Sequence, residues 1–279
     1  MIKKINIKAP AKINLGLRIL SKRSDGFHNL HTLFYPIHDL YDELIIERSN
    51  NFNFTSNISV TESESENLVV RAKEKMEEAA GKKLNTKIYL RKYIPAGAGL
   101  GGGSSDAAAV IAALNDMFDL NFSYKKLLEI ALTLGSDVPF FIRPKPAIAK
   151  SRGEILEFID FELDKYILII NPGIHISTKE AFQNIVPVNE EINYNKIELG
   201  TLGDYANLLK NDFEDYIFET YPEIKQIKET LYSTGAEFAS MSGTGSTVYG
   251  LFSNDEEAEK AAEIFPGKYF KFISIPEIQ

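Results

Sequence analysis

The segment PAGAGLGGGSSDAAA, residues 95–109, sets five glycines in the seven positions 97–103 and then runs directly into small helix formers. Glycine loses more backbone freedom on ordering than any other residue, so such density weakens a fold unless the open backbone is used. The strand-like stretch TKIYLRKYI precedes the loop, and a helix-like run follows from Ser104. At a strand-to-helix junction of this kind, unobstructed N–H groups and the positive end of a helix dipole converge on one point, which suits a phosphate. Two more stretches carry groups capable of chemistry. In APAKINLGL, residues 9–17, Lys12 and Asn14 share one face of an alternating strand whose other face carries Ile13, Leu15 and Leu17, so both are expected on the non-core side. In GSDVP, Asp137 stands two residues before Pro139 and taken alone reads as an Asx-turn aspartate.

Which phosphate loop this is can be narrowed by elimination. Gly97, Gly99 and Gly102 satisfy G-x-G-x-x-G, the dinucleotide fingerprint of a nicotinamide oxidoreductase. That motif needs a second strand and an acidic residue ~20 positions on, whereas here one helical pattern follows another. A Walker A loop needs Lys after its last glycine, and Gly103 is followed by Ser104 and Ser105. Neither H-R-D nor D-F-G occurs, which excludes a protein kinase. A nucleotide-binding module without catalysis remains as an alternative.

The elements that must position these groups follow from pattern. HTLFYPI, DELIIE and FNFTS read as strands at hairpin-like spacing, and residues 66–80 as a helix closed by Gly81. SSDAAAVIAALNDMF and SYKKLLEIALTL read as helices opened by Ser104 and Ser123, while PFFIRP and AIAKSRGEILEFI return to extended structure. Asp106 could serve the first helical turn. From about residue 163 the continuous apolar run KYILIINP predicts a strand covered on both faces. STKEAFQNI follows as a helix with a Ser177/Glu180 capping box. Helices at about 204–219 and 222–233, strands AEFASM and STVYGLF, the helix NDEEAEKAAEIF and the strand KYFKFISI complete a β-α-β-β-α-β order with inserted helices.

Composition sets outer bounds. The 279 residues are 44% hydrophobic and 25% charged, ordinary for a globular protein of one large or two modest α+β domains. The net charge of −8 argues against non-specific nucleic-acid binding, though local dipoles can still hold a small anion. Cysteine is absent and the four histidines have no ligand spacing, which removes thiolate chemistry and gives no metal motif. No stretch approaches a membrane span, and the N-terminus lacks a secretory pattern, so a cytoplasmic location is expected.

The glycine loop with its flanks resembles the second motif, P-x-x-x-G-L-G-S-S-A-A, of the GHMP small-molecule kinases, and residues 9–17 and MSGTGSTVYGLF (241–252) resemble the other two. DGFHNLHTLF, ENLVVRA and LGSDVPFF narrow the likeness to the branch that phosphorylates a cytidine diphosphate sugar alcohol in non-mevalonate isoprenoid synthesis. The resemblance implies a two-domain fold, ribosomal-protein-S5-domain-2-like over 1–158 and ferredoxin-like, split βαβ, over 159–279. It implies an ATP- and Mg2+-dependent enzyme with no nucleic-acid or membrane partner, in which Asp137 is the base and Lys12 its partner. Pro95, Gly97, Gly99, Leu100, Gly101, Gly102, Gly103, Ser104 and Ser105 correspond to the ATP phosphate loop, and Asn67 and Leu68 to positions near the adenine. Asn14, Phe27, His28, Thr178 and Phe182 correspond to the acceptor side, where Phe27, His28 and Phe182 sandwich and read cytosine. The resemblance names no magnesium ligands. Phe27 replaces the commoner tyrosine, which keeps the ring and drops the hydroxyl, and KSRGEI at 150–155 has one glycine where relatives often have two.

Overall fold

The computed structural model describes residues 3–59, 63–194 and 208–276. The chain forms two compact units, each assembled from separated stretches. Met1–Ala11, Pro36–Ala96 and Gly101–Pro144 make the first, and Lys12–Tyr35, Gly97–Leu100 and Lys145–Gln279 the second. Two long strands, β1 (Lys4–Lys22) and β2 (His28–Arg48), contribute to both and pair with each other. The stretches HTLFYPI and DELIIE therefore belong to one strand rather than to a hairpin. Between them stand His38, Asp39, Leu40 and Tyr41, none of which is the Gly or Asn that a tight turn demands, and the strand runs on.

In the first unit the latter half of β2 pairs antiparallel with β4 (Thr86–Arg91), and β4 takes β3 (Asn53–Ser56) in parallel. Helix α1 (Leu68–Ala80) starts where Asn67 Oδ1 accepts from Val69 N at 2.9 Å and ends at Gly81, whose φ of 62° provides the left-handed cap. Helix α2 (Gly102–Met117) is buried around most of its circumference, so α1, α3 (Tyr124–Leu132) and α4 (Val138–Ile142) can all pack on it. Ala107, Ala108 and Ala109 keep that approach close. Two expectations change here. PFFIRP is not extended: Pro139 sits in the first turn of α4, where its missing N–H costs nothing. And α2 is opened by Gly101 at φ 73°, not by Ser104, because only a left-handed residue lets the helix begin directly out of the loop.

In the second unit β7 (Tyr166–Asn171), β8 (Phe238–Met241), β9 (Val248–Phe252) and β10 (Phe270–Ser274) form an antiparallel sheet in the order β10-β7-β9-β8, the split βαβ arrangement. Helices α5 (Thr178–Gln183), α6 (Phe213–Thr220), α7 (Pro222–Ser233) and α8 (Asp255–Ile264) complete it. Ile167 to Ile170 of β7 are all buried, as its unbroken apolar run requires. The core joins Leu168, Ile170, Phe213, Ile217, Leu231 and Phe252. Each such side chain contributes roughly 1.5–3 kcal/mol on burial. The helix expected from about 204 begins instead at Phe213; positions 204–207 lie outside the described residues. Before it the chain is tied to β1, with Leu17 N donating to Lys210 O at 3.0 Å and Asp212 N to Leu17 O at 2.9 Å. The early half of β2 also pairs with β5 (Ala147–Ser151), which forms a hairpin with β6 (Ile155–Phe158). Among the described residues no helix is long and apolar enough to cross a membrane.

Candidate active site

The second unit gathers parts of all three quoted motifs: 12–17 from the first, 97–100 from the loop and 241–252 from the third. Lys12 and Asn14 are not on an open face; both are 3% exposed, because β1 is buried on both sides from Ala11 to Leu17. Lys12 Nζ donates to Asn14 Oδ1 at 2.6 Å and to the carbonyl of Gly99 at 3.0 Å, and it lies 5.2 Å from the centre of the Phe34 ring. Asn14 is fixed in turn by Thr32 Oγ1 at 2.9 Å. The Gly99 carbonyl also accepts from Ser242 Oγ at 2.9 Å, while Lys12 N donates to Leu100 O at 3.0 Å. A Cβ at Gly99 would run into the Ser242 carbonyl, and the residue's φ is 79°. Close approach and backbone conformation both demand glycine there. A buried ammonium thus stands against the backbone of the glycine loop. A buried cation of this kind needs polar partners of its own, and these oxygens supply them.

The first unit holds the rest of the loop. Ser105 N donates to Gly101 O at 2.9 Å, so the N–H groups of Gly102, Gly103 and Ser104 precede the first helical bond of α2. Ser105 is 1% exposed and its Oγ has no hydrogen-bond partner among the described residues. An orphaned buried hydroxyl beside open amides fits an anionic guest. Leu68 flanks the same turn, its Cδ1 being 3.6 Å from where a Cβ of Gly103 would stand, and Asn67 spends its side chain capping α1. Asp137 is the N-cap of α4, but its side chain caps no helical N–H. Pro95 is half-buried, between Ile94 and the exposed Ala96 and Gly97.

Asp106 does not serve the helix start as expected. It is 2% exposed and pairs with Lys92 Nζ at 2.8 Å, while Lys92 also bonds Asp42, whose other oxygen accepts from Tyr93 N at 2.6 Å and Ile94 N at 2.9 Å. Burial, opposed by Lys92 and reinforced by Asp42, pushes the Asp106 carboxyl up to about 7. This triad packs beneath the loop: Lys92 Nζ is 3.1 Å from the place of a Gly102 Cβ.

His28 and Phe182, expected on the acceptor side, are stacked, centroids 5.1 Å apart at 24°, and Phe182 meets Phe213 edge-on at 4.9 Å. Burial, with Lys22 nearby, lowers the His28 pKa and favours a neutral imidazole, which can both donate and accept. Phe27 is 50% exposed, with the Arg152 guanidinium 4.7 Å from its ring centre. Thr178 Oγ1 lies 3.3 Å from Thr244 Oγ1 in the third motif.

The family models for the GHMP kinases N terminal domain and the GHMP kinases C terminal match residues 67–145 and 194–271. A 4-diphosphocytidyl-2-C-methyl-D-erythritol kinase of Bacteroides fragilis is 42% identical over 90% of this chain and 93% of its own. The chain belongs to the GHMP kinase family. Among solved structures, that of a 4-(cytidine 5'-diphospho)-2C-methyl-D-erythritol kinase superposes with a TM-score of 0.83 at 33% identity, covering 96% of this chain and 98% of the other. A homoserine kinase from Cytophaga hutchinsonii shares the fold at a TM-score of 0.73 and 20% identity, covering 99% and 96%.

Two groups in this GHMP kinase escaped sequence reading. Ser242 and Tyr249 lie inside the third motif, yet nothing in its spacing says that Ser242 Oγ holds Gly99 or that Tyr249 Oη donates to the Asn14 carbonyl at 2.8 Å. Asp42 and Lys92 are ordinary charged residues of separate strand-like stretches. Only burial beside Asp106 gives them a role, and no local signal encodes that.

Proposed function

We propose that this GHMP kinase transfers the γ-phosphoryl group of ATP to the 2-hydroxyl of 4-diphosphocytidyl-2-C-methyl-D-erythritol, in the cytoplasmic non-mevalonate route to isoprenoid precursors. The observation that carries the reading is the buried Lys12 ammonium bonded to the Gly99 carbonyl of the phosphate loop. Phosphoryl transfer asks the protein mainly for positioning and charge stabilisation, with one group to take the nucleophile's proton. The amides of Gly102 to Ser104 and the dipole of α2 hold phosphate oxygens, and Asp137 accepts the hydroxyl proton. Lys12, locked in place by Asn14, supplies the positive charge that favours developing alkoxide. Leu68 lies against the adenine.

No group of three or more His, Cys, Asp or Glu side chains is set to hold a metal among the described residues. Magnesium would be carried in on the nucleotide, since this ion keeps several waters and takes one or two carboxylates plus phosphate oxygens rather than an all-protein cage. When bound, the ion would neutralise charge on the transferring phosphoryl group.

Phe182, stacked on His28, and Phe27 read the cytosine, and base stacking of this kind is worth roughly 1–3 kcal/mol. We assign the phosphate loop to residues 95–105 and keep 1–158 and 159–279 as the family's two domains. The discriminating experiment offers the protein four acceptors with ATP: the cytidine diphosphate alcohol, homoserine, galactose and mevalonate. Turnover confined to the first, and a Phe27→Ala variant impaired on it, supports the reading. Comparable turnover of homoserine or mevalonate contradicts it.

A further inference from the structure

Phe27 presents a puzzle once the stacking role is assigned to it. A ring 50% exposed on a turn has no core to hold it, yet stacking affinity depends on its being held. The surroundings supply a brace. Phe27 N donates to Asp25 Oδ1 at 3.1 Å, and Asp25 is gripped by Arg23 through Nε at 3.1 and 3.2 Å. Arg23 Nη1 reaches across to Ser151 Oγ at 2.8 Å, at the end of β5 where the turn to β6 begins. Ser151, itself in the left-handed region at φ 62°, donates to Glu154 Oε1 at 3.1 Å, and Glu154 Oε2 accepts from Arg152 N at 2.7 Å. The Arg152 guanidinium, with Nε 3.6 Å from Glu154, then returns to the Phe27 ring at 4.7 Å. The interactions close a circuit joining two turns that are over a hundred residues apart in sequence, all within one compact unit.

We infer that Arg152 is a positioning residue for nucleobase recognition: by lying against Phe27 it fixes the ring and leaves the other face as the surface on which the substrate's base stacks. The inference rests on the cytidine reading of the acceptor side. A planar guanidinium suits this use, because it stacks on an aromatic face while its N–H groups stay bonded in the ring plane. Lysine keeps the charge without the flat fork. Glu154 acts one step further out, holding Arg152 by its backbone and side chain.

The test uses the full chain and the variants Arg152→Ala, Arg152→Lys, Phe27→Ala and the Arg152→Ala/Phe27→Ala double. Kinetics are measured with each substrate varied in turn, and cytidine 5'-diphosphate affinity by calorimetry. A cation–π contact at an exposed site corresponds to about a two- to fivefold effect. Arg152→Ala is expected to raise KM for the cytidine substrate and weaken cytidine diphosphate binding by about that factor. Meanwhile kcat and KM for ATP stay unchanged, Arg152→Lys recovers part of the loss, and the double variant is no worse than Phe27→Ala alone. Unchanged affinity in Arg152→Ala, or an equal further loss in the Phe27→Ala background, overturns the inference. Cytidine diphosphate binding by the unaltered chain without turnover would sink the proposed reaction alone, and calorimetry of Arg152→Ala would still decide the role of Arg152. Absence of cytidine diphosphate binding by the unaltered chain would sink both.

Discussion

Lys12 is the residue on which most depends, because its ammonium is buried and engages both Asn14 and the loop carbonyl of Gly99. Lys12→Met keeps the aliphatic length and removes the charge, leaving two buried oxygens without that donor. Both oxygens still accept from Ser242 Oγ, so the loss is that of bonds to a charged donor, about 1.5–3 kcal/mol each. A lower melting temperature and a fall in kcat of at least tenfold are therefore expected, and a variant with unchanged kcat would show that the charge plays no part in transfer. Asp106 makes a different prediction. Its folded pKa of about 7 lies above the ordinary carboxylate value, since burial opposes charge. The sign follows: the stability this raised pKa contributes is complete below the unfolded value near 4 and is lost as pH rises through about 7. Asp106→Asn cannot ionise, so thermal melts at pH 5 and pH 8 should show the parent chain losing more stability on that rise than the variant does. Equal losses would mean the carboxyl titrates normally.

At the scale of elements, the glycine loop is where strand, helix and chemistry meet, and its glycines are not equivalent. Gly99→Ala drives a methyl group into the Ser242 carbonyl at a left-handed φ, so a loss of several kcal/mol or failure to fold is expected. Gly103→Ala meets only Leu68 Cδ1 at 3.6 Å, an ordinary contact, so this protein should melt like the parent or slightly higher. If the open backbone there serves phosphate, its KM for ATP should nevertheless rise severalfold, as titration of initial rate against ATP would reveal. The same loop marks the limit of sequence reading. Its glycines, and the αL cap at Gly81, are legible because a positive φ leaves a residue-type signature. The unbroken run in β7 is legible through its period. The start of α2 at Gly101 rather than Ser104 is not, since serine is an equally good cap. Nor is the continuity of β2, whose middle lacks turn residues but also breaks the apolar alternation. Phe182 and His28 could be assigned only through family likeness, because aromatic and histidine spacing says nothing about which rings meet. The Asp42–Lys92–Asp106 triad joins three segments through long-range packing, which leaves no periodic trace at all.

At the scale of the molecule, both GHMP family models match and the sheet order of the second unit is that of a split βαβ fold, yet fold alone does not choose an acceptor. The compact units are also not the linear halves a boundary near 158 describes: residues 12–35 and 97–100 belong with the later part of the chain. Within the second unit β1 is bonded through Leu17 to Lys210 and Asp212 and through Ile19 to Val188, and Leu17, Ile19 and Leu30 share a core with residues beyond 158, so truncation there would strip them of these partners. The isolated 1–158 fragment should therefore show no cooperative thermal transition by circular dichroism; a sharp one would mean the fragment is self-sufficient.

The central claim is alcohol phosphorylation with Asp137 as base. Its most direct test is coupled ADP release, with ATP, magnesium and 4-diphosphocytidyl-2-C-methyl-D-erythritol, for the unaltered chain and for Asp137→Asn. Asp137→Asn keeps the size of the side chain and removes its charge, and thermal melts of both chains are recorded beside the rates. The account predicts substrate-dependent turnover that drops by about 10²–10⁴ in the variant. Background-level release from the unaltered chain, or full activity in Asp137→Asn, would contradict it.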